Sequence, residues 1–544
     1  MGTSRRALLG AGLAVAALPA ALPWDMAMAQ APAGKGGTLR IGMTAAAVPL
    51  PNGQTDQGGE GQRFMAYTVF DSLVFWDLSR SDAPSRLMPN LATEWKADPA
   101  DSRRWLFTIR EGVRFHDGSV FDAHAAQWNF EKLLASSAPH FDPRQAAQGR
   151  SRIPSVAKAT ALDARTLEIR TTEVDALLPY GIAWIVMSSP AQWEKVGRSW
   201  DAFLSSPSGT GPFRMAEYSQ RERGVMVANP DYWNPARRPK LERLVLLPLP
   251  ESNTRAAALR AGQVDWIEAP APDVTASLRA ARFSIVTNEY PHNWVWHLDF
   301  TSPGSIWRDV RVRRAANLAV DRDGIAGMMD GQMLPGVGLL TPSSPWFGNP
   351  SFRIRHDPAE ARKLLAEAGI GPRSPVRTKV MIPGSGSGMM QPLPMNEAIQ
   401  ENLREVGIVV EFEVMEWNAL VNAWRAGSRD PLSRGVHALN YSYFSQDPFT
   451  ALIRHVDSAL VAPRGTNWGH TKDAELDAVC KGLRETFEPS AQDVLMTRGH
   501  QRIVDEAMFL FVAHDLNARA MSPRVRGFVQ ARNWFQDFGT VSVA

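Results

Sequence analysis

Only one cysteine, Cys480, stands in the 544 residues, so the chain cannot form an intrachain disulfide. It sits in a stretch that also carries Leu476, Val479 and Leu483 at helical spacing, which predicts a buried structural thiol rather than a reactive one. A surplus of charge is also missing: 59 basic against 56 acidic residues leave a net charge of +3. That near-balance gives no electrostatic ground for a nucleic-acid or anionic-membrane partner. Past the first residues there is no apolar run long enough to cross a membrane, and there is no low-complexity tract or short repeat. Neither a Gly-x-Ser-x-Gly elbow nor a His-Glu-x-x-His pair is present, which weighs against an extracellular hydrolase. Tyrosine is sparse, 7 residues, whereas tryptophan is plentiful at 18. Large aromatics of that kind fill cores, and some suit the lining of a ligand cleft.

What is present begins with Ser4-Arg5-Arg6-Ala7-Leu8, a twin arginine ahead of an uncharged stretch over residues 7–22 and the small-residue run Ala27-Met28-Ala29. That order predicts a cleavable twin-arginine export signal over residues 1–29. The apolar stretch is too short for a membrane anchor, and no cysteine near the cut offers a lipid attachment point. A mature chain beginning at Gln30 and free in the periplasm is expected, with no stable membrane insertion. Its length calls for two or three domains.

Along that chain, strand patterns alternate with helix patterns. Strands are expected at 38–43, 105–110, 241–247, 264–267, 293–300, 378–382 and 408–414, with a hairpin over 156–161 and 166–171. Helices are expected at 123–134, opened by Asp122 as N-cap, and at 252–261, 309–320, 357–368, 391–406 and 489–507. The alternation predicts an α/β fold with mixed sheets covered by helices. A shift in composition near 290–305 marks a candidate crossover between lobes.

Several segments, weak singly, form an ordered set: Pro89-Asn-Leu-Ala-Thr-Glu-Trp95, Trp105 to Ser119 with Glu-Gly-Val-Arg-Phe-His-Asp-Gly-Ser, Gly209-Thr-Gly-Pro-Phe213, Asn229-Pro-Asp-Tyr-Trp-Asn234, Ala258-Leu-Arg-Ala-Gly-Gln-Val-Asp265, residues 310–322 and residues 357–369. In this order they resemble the extracytoplasmic solute-binding proteins, family 5, of peptide/nickel-type ABC transporters. The resemblance spans nearly the whole mature chain. It implies a two-lobed periplasmic-binding-protein fold with a ligand cleft between the lobes and an extra subdomain on the first lobe, at about 70–205. The first lobe would take residues 30–290 and the C-terminal return, 515–544; the second would take 291–514. The implied activity is capture of a peptide or similarly sized polar organic solute by hinge closure and delivery to a membrane permease, by a monomer with no cofactor and no catalysis. A ligand-presenting chaperone or sensor would need the same cleft.

The resemblance also singles out Gly435 to Pro448, where a strand gives way to an aromatic loop and Asp447-Pro448 opens a helix. Tyr441, Tyr443 and Phe444 are expected to stack on a ligand or in the core, and Asp447 to border the cleft or cap the helix. Dipeptide-binding members carry an acidic residue where Phe444 stands, which argues against a small peptide held there by its amine. Trp294 and Trp296 share one face of a strand and are candidate cleft residues, with core packing as the alternative. The loop Gly384-Ser-Gly-Ser-Gly388 suits a cleft edge better than a phosphate, since it lacks the Gly-Lys-Ser/Thr ending. Residues 51–56 are the corresponding loop of the first lobe, with Gln62 and Arg63 as weaker candidates. His116 and His124, and the scattered His437, His455 and His470, form no recognisable metal-ligand set; a metal carried inside a chelating molecule stays open.

Overall fold

Thr38–Met43 buries its alternating apolar side chains Leu39, Ile41 and Met43, with Gly42 buried between the last two, and becomes an inner strand of a seven-stranded sheet. The computed structural model describes residues 36–54, 59–289 and 291–544; the export signal expected over 1–29 and the loop residues 55 and 56 lie outside these. In sheet order the strands are Ser284–Val286, Arg519–Met521, Trp266–Glu268, Thr38–Met43, Arg243–Pro248, Arg223–Ala228 and Phe213–Ser219. Thr38–Met43 runs parallel to both of its neighbours. Residues near the C-terminus supply Arg519–Met521, so the end of the chain helps complete the lobe in which it began.

A second sheet, six-stranded, has the order Met333–Pro335, Phe509–Asp515, His292–Leu298, Ala438–Phe444, Val376–Pro383 and Ile408–Met415. The chain passes between the two sheets twice, once between Val286 and His292 and once between Asp515 and Arg519. Helix Pro392–Val406 covers one face of this sheet: Met395, Ile399, Leu403 and Val406 recur at helical spacing and are buried. Gly407 ends that helix at φ 102°, a left-handed cap that glycine adopts without strain. Burying each of these side chains contributes about 1.5–3 kcal/mol.

The third unit is antiparallel, Ala92–Asp98, Asp101–Ile109, Thr166–Thr171 and Val156–Ala161, and carries the expected hairpin. Helix Ala123–Leu134 lies on it, capped by Asp122, whose carboxylate accepts the Ala125 N–H at 2.9 Å. The expected helix after Asp447-Pro448 is instead a five-residue π-helical turn, Phe449–Ile453, followed by Arg454–Val456. The long helix expected to reach 507 stops at Asp505, because Ala507 turns to φ 46°. Cys480 is buried, and burial pushes its thiol well above its ordinary value. Among the described residues no helix is long and apolar enough to cross a membrane.

Candidate inter-lobe site

Thr44 and Glu268 lie at the carboxyl ends of two adjacent parallel strands of the first sheet, the usual place for a ligand site in such a sheet. Beside them the short helix Glu60–Phe64 presents Arg63, which forms a buried ion pair with Glu268 and donates to Asn517 Oδ1 at 2.5 Å. Glu268 also accepts from Trp266 Nε1 at 2.8 Å and from Arg519 Nε at 3.2 Å. Burial opposes its charge, yet Arg63 and Arg519 hold the Glu268 carboxyl below its ordinary value. Asn517, at φ 52° in the second crossing, therefore ties a crossing segment to the first lobe.

Two further acids face this region and are shifted the other way. Burial pushes Glu60 up to about 7 against the pull of Arg63 and Ser387. Burial likewise raises Asp515 to about 6. His292, 3.7 Å from Asp515 through Nδ1, is held neutral, its value lowered by burial to about 3.

Between the lobes the charged groups enclose a cavity of about 20 Å³ lined by Thr44, Arg63, Glu268, Gln332, Asp515 and Asn517, with Gly388 and Met390 on its far wall. That is room for about one water. Thr44 Oγ1, Gln332 Nε2 and Asn517 Nδ2 are buried there with no hydrogen-bond partner among the described residues.

The neighbouring stretch is aromatic. Trp534, from the C-terminal return, is flanked by the Arg63 guanidinium at 4.7 Å from its ring centre and by the stacked His292 ring at 5.1 Å. Its indole N–H donates to Gly59 O at 2.6 Å, and its backbone N–H to Gln446 Oε1 at 3.3 Å. Phe444 belongs to a strand of the second sheet but is buried in the core of the first lobe, stacked on Trp184 at 4.5 Å. The guanidinium of Arg152 lies 4.3 Å from the Trp184 ring centre and 5.0 Å from that of Phe444. Gln54, in the loop expected to approach from the first lobe, donates to Trp184 O at 2.9 Å. Two contiguous patches, one charged and one aromatic, thus draw side chains from both lobes.

The six candidates read from the sequence separate on this geometry. Phe444 lies in the inter-lobe seam. Tyr443, one residue back, turns to the other face of its sheet, where its ring centre is 3.8 Å from that of His455 and its hydroxyl has no hydrogen-bond partner among the described residues. Tyr441 stacks between Trp424 at 4.5 Å and Trp417 at 5.6 Å. Asp447 acts as a cap: its carboxylate accepts the Thr450 N–H at 2.9 Å and the Thr450 hydroxyl at 2.7 Å. Of the two readings of Trp294 and Trp296, cleft or core, the packing matches the core. Helix Pro392–Val406 and the segment before it cover their face of the sheet, and their indoles donate to Met389 O at 3.0 Å and Asn396 Oδ1 at 2.8 Å. His116 is bonded to Gly211 O at 2.9 Å, and no group of three or more potential metal-binding side chains occurs among the described residues.

Arg63 was a minor candidate in the sequence; Trp534, Glu268, Asp515, Asn517 and His292 were not candidates at all. The position of Glu268 at the end of a parallel strand is the one signal that could have marked it.

Comparison with known proteins accords with this two-lobed arrangement. The sequence model for bacterial extracellular solute-binding proteins, family 5 Middle, matches residues 86–456. The chain is 27% identical to di/tripeptide-binding protein 2 of Pseudomonas aeruginosa over 515 residues, covering 90% of this chain and 93% of that protein. It is 25% identical to heme-binding protein A of Haemophilus influenzae, covering 87% of each. The solved structure of the periplasmic binding protein DppA of Helicobacter pylori in complex with the peptide STSA superimposes with a TM-score of 0.81 at 19% identity, over 94% of this chain and 98% of that one.

Proposed function

The chain belongs to the family 5 bacterial extracellular solute-binding proteins, and from that premise we propose that it captures a peptide, or a polar organic solute of similar size, in the periplasm and hands it to an ABC transporter permease. One observation carries the reading. Buried charged, polar and aromatic side chains from both lobes converge on one seam, at Arg63, Glu268, Asp515, Trp534 and Phe444. Side chains so placed meet a solute only when both lobes close on it, so binding and closure are one equilibrium.

A space of about 20 Å³ is far smaller than a peptide. Admission of the solute therefore requires the lobes to part, and the two crossings between the sheets are where backbone rotation would do this. No bond is made or broken in this cycle. With Phe444 apolar, a ligand ammonium would be met by Glu60 or Asp515, buried acids whose charged form the cation would favour against the burial that raises them. Tyr443 is kept as a secondary ligand candidate because its hydroxyl is buried without a partner among the described residues. The twin-arginine signal would deliver the chain already folded, as a monomer free of the membrane.

Native mass spectrometry of the mature protein, gently purified from periplasm, tests the proposal. A co-purifying mass in the peptide or small-organic range is expected, lost on partial denaturation. A bare polypeptide that also shows no thermal shift with any member of a di- to pentapeptide library would overturn the peptide assignment.

A further inference from the structure

The strand Ala438–Phe444 is laddered along its full length on one flank, against His292–Leu298. On the other flank the parallel ladder with Val376–Pro383 ends at the pairs Val380 with Ala438 and Met381 with Leu439. Beyond Leu439 no further ladder pair with that strand occurs among the described residues, and Met389, in the loop after it, meets the edge at Ser442. Ser442 donates its backbone N–H to the Met389 sulfur at 3.4 Å, and its hydroxyl to the same sulfur at 3.1 Å. A thioether is a weak acceptor, whereas an open strand edge ordinarily takes a backbone carbonyl.

The loop is closely fitted to this position. A Cβ on Gly386 would fall 2.5 Å from the Trp417 indole, and one on Gly388, at φ 67°, 2.5 Å from the His292 ring. Met390 is held at φ 56°, a conformation costly for a side chain of its kind. Gly388 and Met390 then form a wall of the cavity between the lobes. Met389 consequently covers a stretch of open strand edge immediately beside the seam.

We propose that Met389 is an affinity-setting plug, displaced when an extended peptide pairs with the edge at Ser442 and its carbonyl replaces the sulfur as acceptor. The inference rests on the peptide reading above. A leucine would fill the same buried volume about as well. The sulfur adds an acceptor strong enough to keep Ser442 satisfied without ligand, and weak enough to yield to a carbonyl. A solute without a backbone-like carbonyl gains nothing at this position, so the exchange also selects for amides.

The test uses the full mature protein, its Met389→Leu and Met389→Ala variants, and tetra-alanine as the probe. Calorimetry gives affinity, hydrogen exchange over residues 440–444 reports on the edge, and a thermal melt confirms folding. Met389→Leu removes the acceptor while keeping the bulk, so it carries the test should Met389→Ala fail to fold. Tighter binding by about tenfold in the variants is expected, the scale of one hydrogen bond lost by the unliganded state. Peptide should also slow exchange over 440–444 in every variant. Equal affinities, or peptide binding without protection of 440–444, would overturn the plug and leave the peptide reading standing. No binding of tetra-alanine or of any peptide in the library, by all three proteins, would overturn both.

Discussion

Trp296 and Trp534 are both buried, yet they are connected in different ways. Trp296 donates its indole N–H to Asn396 on the helix that covers its own sheet. Trp534 takes a guanidinium on one side, from Arg63 of the first lobe, and an imidazole on the other, from His292 of the second. The first belongs to one packed body and has no reason to change when the lobes move. The second has contacts divided between two bodies, so a parting of the lobes would break them. A tryptophan-rich chain can therefore hold two populations: one that builds lobes and one that joins them.

The contrast is broken most severely at the core. Trp296→Ala is expected to cost about 3–5 kcal/mol of stability, the scale for an aromatic truncated in a core. Ligand affinity of the folded fraction should stay unchanged. A large loss of affinity at full thermal stability would return Trp296 to the cleft.

Arg63→Met attacks the seam itself. It leaves Glu268 with Arg519 as its remaining ion-pair partner and removes the guanidinium over Trp534. A loss of about 3 kcal/mol is expected from a broken buried pair, together with loss of ligand binding. A melt shifted to that extent with binding intact would make Arg63 a structural pin only.

A milder change is Phe444→Leu, which keeps apolar volume but ends the stacking on Trp184. About 1 kcal/mol is expected, appearing as altered ligand affinity more than as a lower melting temperature. The same loss in both readouts would merge Phe444 with the core set.

The last comparison is in pH. The raised value of Glu60, about 7, means the folded state holds a proton that the unfolded chain releases near 4.5. Its contribution to stability is whole below about 4.5 and is lost as pH rises through 7. His292 and His514, held near 3 and 4 by burial, act oppositely, and their stability is gained as pH rises toward 6.5. Glu60→Gln should remove the Glu60 share of the falling part and leave that of Asp515, raised to about 6, so denaturant melts of variant and wild type should diverge between pH 4.5 and 7. Parallel curves would show that Glu60 is not buried as a neutral acid.

Much of the architecture was legible because it is written in local periodicity. Thr38–Met43, the hairpin at 156–171, the Asp122 cap and the helix Pro392–Val406 all follow from alternation, spacing and capping chemistry that neighbouring residues alone express. The seam was far less legible. Period 2 put Trp294 and Trp296 on one face correctly, but spacing cannot say which face a helix will cover. Asp447 resolved as a cap because Thr450 lies within its local reach.

The export signal, as an expectation, the α/β class and the elements were readable because each depends on residues close together in the chain, and the family because its short segments recur in a fixed order. The candidate site was readable from the packed lobes alone. Arg63 meets Asn517 across 454 positions, and Trp534 meets Gly59 across 475. Contacts of that separation are set by where two sheets come to rest, and no local pattern carries that information.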